Sequence, residues 1–305
     1  MRRKVTIGTR GSKLALVQAG SLAAALRARY PDIEVVIRRI ATAGDRDRRT
    51  PLEDMGVAVF VKELEEALLD GRIDLAAHSL KDMPADTPPG LRLLAVTGRA
   101  DPRDALVAGA RLMELPPGAR IGTGSLRRSI QLAACRPDLK TCAIRGNVDT
   151  RLRKVDAGEV EGVIVAAAAL IRLGWTDRIT EYLPAEHFLP SVGQGALAVE
   201  ARLDDEFMAE LVVPLNDETV WRCVAAERAF LRALGGGCRA PIAALGRIEY
   251  QLLHLDGMVA GADGRRVLRA RATGDPASPE AVGEGLARLM LESGAAGLVA
   301  AAGQP

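Results

Sequence analysis

Apolar and polar positions alternate over residues 4–9, and the run ends in Gly8-Thr9-Arg10-Gly11, after which Leu14, Leu16, Val17, Leu22 and Leu26 recur at helical spacing. A period of two followed by one near 3.6 predicts a strand, a glycine turn and a helix, with Ser12 placed to cap the helix. The same patterns predict strands over 34–40, 75–77 and 91–97 and a helix over 60–69. A second series follows from about Asp104, with strands at 105–107, 120–122, 139–144 and 162–165 and helices at 126–134, 148–157 and 166–173. Strands alternating with helices indicate open α/β sheets. A strand over 196–200 is expected to rejoin the first sheet, and a long amphipathic helix over 218–234 stops at Gly235-Gly236-Gly237, which cannot continue a helix at reasonable cost. Strands at 240–249, 252–259 and 267–272 and a helix at 279–291 then read as a small α+β domain. The expected division is therefore residues 1–98 with 196–215, residues 99–195, and residues 216–305. Residues 42–55 are polar enough to form a mobile loop.

Length agrees with this division, because 305 residues with 48% hydrophobic content exceed what one core usually organises. The chain carries 41 basic against 39 acidic residues, and only six of the basic ones are lysine. A nucleic-acid binder usually shows a large basic excess, so no nucleic-acid partner is expected. The arginines instead supply many planar forks suited to carboxylates. The basic residues Arg2, Arg3 and Lys4 precede no apolar core of a signal peptide, and the longest apolar run, 163–171, is about half of what a spanning helix needs. A cytoplasmic protein without a membrane partner is expected. Cys135, Cys142, Cys223 and Cys238 fit no zinc spacing and should be free thiols, and no metal site is expected.

Ligands of open α/β sheets collect beyond the carboxyl ends of strands. Arg10 follows the first strand, Arg127 and Arg128 follow Gly122-Thr123-Gly124-Ser125 at a helix start, and Arg145 follows a strand with Arg151 near it on the next helix. Together they point to a ligand with several carboxylates, whereas any one alone reads more readily as a surface arginine. His78, Lys81 and Asp82 follow a short apolar strand; the carboxylate could stabilise a developing cation or simply close a turn before Pro84, and His78 reads as a hydrogen-bonded structural histidine. Cys238, after three glycines and before Arg239, is either an accessible thiol biased toward thiolate or a turn cysteine without chemistry.

Nine ordered segments carry a resemblance. They are IGTRGSKLALVQA at 7–19, TAGD at 42–45, FVKELEEALL at 60–69, HSLKDMP at 78–84, DPRDAL at 101–106, GTGSLRR at 122–128, RGNVDTRL at 145–152, PSVGQGALAVE at 190–200 and AERAFLRALGGGC at 226–238. In this order, over nearly the whole chain, they resemble the porphobilinogen deaminase (hydroxymethylbilane synthase) family. The resemblance implies two α/β domains like those of periplasmic ligand-binding proteins, facing a cleft, with a small C-terminal α+β domain. It implies a dipyrromethane cofactor in thioether linkage to Cys238, onto which four porphobilinogen molecules condense head to tail with loss of ammonia. Each incoming unit becomes an electrophilic azafulvene that the terminal pyrrole attacks, and hydrolysis releases hydroxymethylbilane.

The resemblance assigns Asp82 as the catalytic carboxylate. It assigns Lys81, Asp82, Ser125, Arg127, Arg128, Arg145 and Gly146 to the cofactor beside Cys238, and Arg10, Ser12, Gln18, Arg145, Arg151, Arg172 and Gln194 to the substrate. A monomer is implied. The chain departs from the family pattern at Gly56-Val57-Ala58-Val59-Phe60, where Gly-Lys-Gly-Leu-Phe is usual; Arg46, Arg48 and Arg49 are candidates to replace the missing lysine. Asp149 stands for the usual asparagine, and Arg239-Ala240-Pro241 for Gln-Val-Pro. Two rival readings use the same arginines: a non-catalytic protein that captures a small carboxylate, and an anion-regulated nucleic-acid-binding regulator.

Overall fold

The computed structural model describes residues 3–46, 60–235 and 241–302. In chain order the elements begin with β1 (Arg3–Thr9), α1 (Lys13–Arg29), β2 (Ile33–Arg39), α2 (Ala43–Arg46), α3 (Lys62–Leu69), β3 (Leu75–Ser79) and β4 (Leu91–Arg99). There follow β5 (Asp104–Ala108), β6 (Arg120–Gly122), α4 (Leu126–Cys135), β7 (Lys140–Cys142), α5 (Val148–Asp156), β8 (Gly162–Ala166), α6 (Ala167–Leu173) and β9 (Glu181–Tyr182). The chain continues through β10 (Ala196–Arg202), α7 (Glu206–Val212), α8 (Glu218–Ala233), β11 (Ile242–Glu249), β12 (Leu252–Ala260), β13 (Val267–Gly274), α9 (Pro279–Glu292) and α10 (Ala295–Ala302).

Contacts divide the chain into two compact units, residues 1–99 with 196–221 and residues 100–195 with 222–305. The first holds one five-stranded sheet in the order β2-β1-β3-β10-β4. Strand β1 runs parallel to β2 and β3, and β10 runs antiparallel to β3 and β4. The second unit repeats this plan as β7-β6-β8-β5-β9: β6 is parallel to β7 and β8, and β5 is antiparallel to β8 and β9. In both sheets the fourth strand is the one reached by a crossover from the other unit. The second unit also contains the antiparallel sheet β11-β12-β13.

Strand burial explains the sequence patterns. Strand β8 is buried on both faces and reads as a continuous apolar run, as a strand covered on both sides should, whereas the buried strand β10 is apolar only over Ala196–Val199 before Glu200 interrupts it. One face of the first sheet packs Val5, Ile7, Leu75 and Val199 against Leu22 and Leu26 of α1 and Met208 of α7. The opposite face packs Ala76 against Leu64, Ala67 and Leu68 of α3. The second sheet is likewise covered on both sides, around Leu106, Ile121 and Phe188 on one and Val163, Val165 and Leu170 on the other.

In the C-terminal domain, Phe230 of α8 packs with Leu253, Leu255 and Leu286. A Cβ on Gly283 of α9 would run into the Ala226 carbonyl oxygen, so glycine there permits the close approach of α9 to α8. Within the second unit Leu189 packs on Ala243, Leu245 and Met258. The buried Glu227 carboxylate accepts from Gly193 N at 2.7 Å and Gly246 N at 2.8 Å, which ties the 190–195 loop to α8 and β11. The mixed α/β class with a small C-terminal sheet-and-helix domain is as the sequence leads one to expect. Strand β7 is shorter than the 139–144 span of its apolar pattern, and the two-residue β9 is too short to show an alternation.

Candidate active site

Two strands of the first unit deliver its candidate residues. β1 ends at Thr9, whose hydroxyl donates to the Ala15 carbonyl at 3.0 Å, and Ser12 caps α1 by accepting from Ala15 N at 3.2 Å. The Arg10 guanidinium lies 3.9 Å from the centroid of the Phe60 ring, a cation–π contact at the entrance to α3. Gln18 is 3% exposed, and its amide exchanges two hydrogen bonds with the Ser79 hydroxyl, at 2.8 and 3.2 Å. This holds α1 to the end of β3. Leu80–Asp82 then forms a 3-10 turn in which Lys81 and Asp82 are both half-buried. Strand β3 thus leaves the sheet anchored at Ser79 and presents its only lysine and carboxylate of this segment at the strand's carboxyl end.

In the second unit the turn from β6 to α4 passes through Gly124, where a Cβ would lie 2.8 Å from the Ile144 carbonyl oxygen. Ser125 occupies the N-cap position of α4, but its side chain makes no capping hydrogen bond. Arg127 and Arg128 are 4% and 6% exposed. They share one carboxylate: Arg127 Nη2 donates to Asp104 Oδ2 at 2.8 Å and Arg128 Nη2 to Asp104 Oδ1 at 2.7 Å. Arg127 also donates to the Leu189 carbonyl at 2.5 Å and to Ser191 Oγ at 3.1 Å, so all three of its nitrogens are engaged. Arg128 donates to the Ile164 carbonyl at 3.2 Å, while its Nε is buried with no hydrogen-bond partner. Gln194 is fully buried; its amide donates to Asp104 Oδ1 and to the Pro102 carbonyl, each at 2.8 Å.

Burial alone would raise the Asp104 carboxyl, but the charges of Arg127 and Arg128, with hydrogen bonds from Arg128 and Gln194, hold it well below the usual carboxylate range. Burial pulls the Arg127 guanidinium down against the attraction of Asp104. Two buried cations around one buried anion leave one positive charge uncompensated within this network. The next loop carries Arg145, half-buried, and Gly146 at a φ of +107°. Arg151 closes that loop by donating from Nε to the Gly146 carbonyl at 2.9 Å. Arg172 of α6 donates to the Gly195 carbonyl at 2.6 Å, and burial lowers its guanidinium from the ordinary value.

The sequence-predicted residues therefore fall into three groups. Arg127, Arg128 and Gln194 meet around Asp104; Arg145, Gly146 and Arg151 share one loop; Lys81 and Asp82 share one turn. Ser12, Gln18 and Arg172 each hydrogen-bond a neighbouring protein group in this structure. Cys238, Arg239, Ala240, Val57, Ala58, Arg48 and Arg49 lie outside the described residues. Among the described residues, Cys135, Cys142 and Cys223 form no disulfide. Asp104 was not among the residues singled out from sequence; its only signal was an aspartate opening an apolar strand in the DPRDAL segment. Among the described residues no group of three or more His, Cys, Asp and Glu side chains could hold a metal ion.

Comparison with known proteins decides the family. A family model described as porphobilinogen deaminase, dipyromethane cofactor binding domain, matches residues 5–210, and one described as porphobilinogen deaminase, C-terminal domain, matches residues 221–292. The porphobilinogen deaminase of Roseiflexus castenholzii is 48% identical over 303 residues, covering 98% of this chain and 100% of that protein. The chain belongs to the porphobilinogen deaminase family. The porphobilinogen deaminase of Pelobacter propionicus is also 48% identical, over 96% of this chain and 95% of its own length.

Among solved structures, the periplasmic VFT2 domain of Bordetella pertussis BvgS is 14% identical with a TM-score of 0.40, covering 70% of this chain and 86% of that one. The Escherichia coli aliphatic sulphonate binding protein SsuA is 15% identical with a TM-score of 0.38, covering 76% and 71%. At these values the likeness carries no argument about function. Membership of the porphobilinogen deaminase family makes the chain a transferase of tetrapyrrole biosynthesis with porphobilinogen as substrate and dipyrromethane as cofactor. The non-catalytic carboxylate-binding reading is not favoured.

The described residues fit a group bearing carboxylates. Arg128 Nε is a buried donor without a partner, Ser125 has a hydroxyl unused by the helix cap, and the surplus positive charge lies at the N-terminus of α4. When bound, dipyrromethane supplies the pyrrole carbon to which the first substrate joins.

Proposed function

We propose that this transferase builds hydroxymethylbilane on a dipyrromethane held through Cys238, by four successive additions of porphobilinogen and a final hydrolysis. The observation that carries the reading is the combination, at α4, of an unpartnered buried Arg128 Nε with a pair of arginines that share the single carboxylate of Asp104. Ser125, Arg128, Arg145 and Gly146 are assigned to the cofactor, with Arg127 holding the loop at Leu189 and Ser191 as well as contributing charge. Arg10, Ser12, Gln18, Arg151, Arg172 and Gln194 are assigned to the substrate side. Each charge-assisted hydrogen bond to a pyrrole carboxylate contributes roughly 1.5–3 kcal/mol.

Asp82 is the group that acts on the reacting charge. Its carboxylate, held by the 3-10 turn at the end of β3, stabilises the positive charge that develops on the pyrrole as ammonia departs and again as the new carbon–carbon bond forms. Lys81 pairs with a neighbouring carboxylate of the ligand. The anchoring cysteine belongs to residues 216–305, taken as a separate third domain beside residues 1–98 with 196–215 and residues 99–195.

A cytoplasmic monomer without nucleic-acid or membrane partners fits the balanced charge, and no helix among the described residues is long and apolar enough to cross a membrane. The test is Asp82→Ala. The variant is expected to retain the covalent cofactor by intact mass but to lose about 10²–10³-fold in kcat, the size of effect seen when one preorganised stabilising group is removed. Turnover comparable to the parent would refute the role.

A further inference from the structure

Three ionisable side chains outside the network just described are buried together in the first unit. Glu200 of β10 is fully buried, His78 of β3 is 5% exposed, and Glu65 of α3 is 8% exposed. His78 Nε2 lies 3.1 Å from Glu200 Oε2. Glu65 Oε1 and Glu200 Oε1 are buried without hydrogen-bond partners. Burial first, and the charge of Glu200 second, push the Glu65 carboxyl up to about 6, while the charge of His78 opposes them.

The arrangement follows from register. Ala198 faces His78 and Ala76 faces Glu200 across the β3–β10 ladder, so His78 and Glu200 are diagonal neighbours on one face of the sheet. That face is covered by α3, whose fourth residue is Glu65. Other charged groups on these elements have their own partners: Glu63 accepts from Ala43 N, Arg92 of β4 pairs with Glu206, and Arg202 of β10 pairs with Asp205 and Asp74. Glu66, the remaining acid near Glu65, adds to the upward push and pairs with Lys62.

Stability does not account for such a cluster. The rest of the same face is apolar, with Ala76, Leu64, Ala67 and Leu68, and replacing a buried ionic group by apolar side chains is often neutral or stabilising. Cores built for stability also satisfy their buried carboxylate oxygens. What the cluster does adjoin is the strand end that carries the catalytic turn. His78 is held to Glu200 on one face of β3, Ser79 is held to Gln18 on the other, and Leu80–Asp82 begins at the next residue.

We propose that His78, Glu200 and Glu65 are positioning residues for the Lys81–Asp82 turn, fixing where Asp82 is held during turnover and making that position respond to the protons the cluster carries. The proposal rests on the reading of Asp82 as the catalytic carboxylate. Burial and the charge of Glu200 push the Glu65 carboxyl up, so Glu65 is the member of the cluster that holds its proton to higher pH than an ordinary glutamate. Loss of that proton is transmitted through the two residues between His78 and Lys81.

The test uses the holoenzyme of the parent and of Glu200→Gln, Glu65→Gln and Asp82→Asn. Covalent cofactor is read by intact mass, stability by thermal melting, and kcat and KM are followed between about pH 5.5 and 8.5. Glu200→Gln is expected to keep its cofactor and to lose about tenfold in kcat, with KM within about twofold. Glu65→Gln, which fixes the protonated shape, is expected to remove an inflection of kcat near pH 6 that the parent shows, and to melt higher than the parent above that pH. A cluster with a purely structural role would move melting temperature and leave the kcat profile alone; that result in both glutamine variants overturns the proposal. If Asp82→Asn turns over normally the underlying reading of Asp82 fails instead. If Asp82→Asn is inactive while both glutamine variants match the parent in kcat and pH profile, the positioning proposal alone fails.

Discussion

Asp104→Ala removes the one carboxylate shared by two buried guanidiniums. In its absence Arg127 keeps the Leu189 carbonyl and Ser191 Oγ, and Arg128 keeps the Ile164 carbonyl, but neither cation retains a counter-charge. Gln194 keeps the Pro102 carbonyl and loses its stronger acceptor. Breaking a buried ion pair by deleting one partner costs roughly 3–5 kcal/mol. With two cations stranded and neutral acceptors still present, about 4 kcal/mol is expected, and about 2–3 kcal/mol for Asp104→Asn, which keeps the shape and one acceptor. Urea denaturation read from the midpoint, with an unchanged m-value as the check on two-state behaviour, supplies the number. The sign of the pH dependence follows from the depressed carboxyl. The stabilisation is present above the ordinary value of 3.8 and is lost as pH falls through the lower native value. The gap between parent and Asp104→Asn should hold steady from about pH 5 to 8 and close only in strong acid. A loss below about 1 kcal/mol would refute the claim that this network organises the second unit.

Other consequences are separable. Gly283→Ala should destabilise the C-terminal domain by about 2 kcal/mol or more, because the new methyl group meets the Ala226 carbonyl and lies 2.8 Å from Phe230 N; a melting temperature equal to the parent's would show that α9 moves freely off α8. Arg127→Leu and Arg128→Leu should differ. The first strips the anchors of Leu189 and Ser191 and is expected to cost the larger share of stability, whereas the second is expected to lower covalent cofactor loading at a smaller cost in melting temperature. Equal effects of the two on both readouts would contradict the division of labour drawn from their hydrogen bonds.

The local units were legible because they depend on neighbours in sequence. Alternation over 4–9, the glycine turn and the cap at Ser12 reappear as β1 and α1, with Ser12 accepting from Ala15 N as its position requires. Arginines at strand ends were likewise visible. What the pattern could not give was where their donors go, because the partners are distant in sequence: Asp104 is 23 and 24 residues from the arginines it binds, and 90 from Gln194. Gln18, which the resemblance assigns to the substrate side, hydrogen-bonds Ser79, 61 residues on. The pairing of His78 with Glu200 spans 122 residues and depends on β10 returning from the other unit to lie beside β3. The register of that ladder brings Glu200 beside His78, and the packing of α3 adds Glu65.

Cys238 is proposed to carry the covalent cofactor onto which porphobilinogen is added. Intact mass after denaturation, on protein expressed in a cell that makes porphobilinogen, tests it most directly. The parent chain is expected to exceed its sequence mass by two porphobilinogen molecules less two of ammonia, with peptide mapping placing the addition on Cys238, and Cys238→Ser to lack both the added mass and turnover. A parent chain at its bare sequence mass, or a Cys238→Ser variant that still carries the addition, would contradict it.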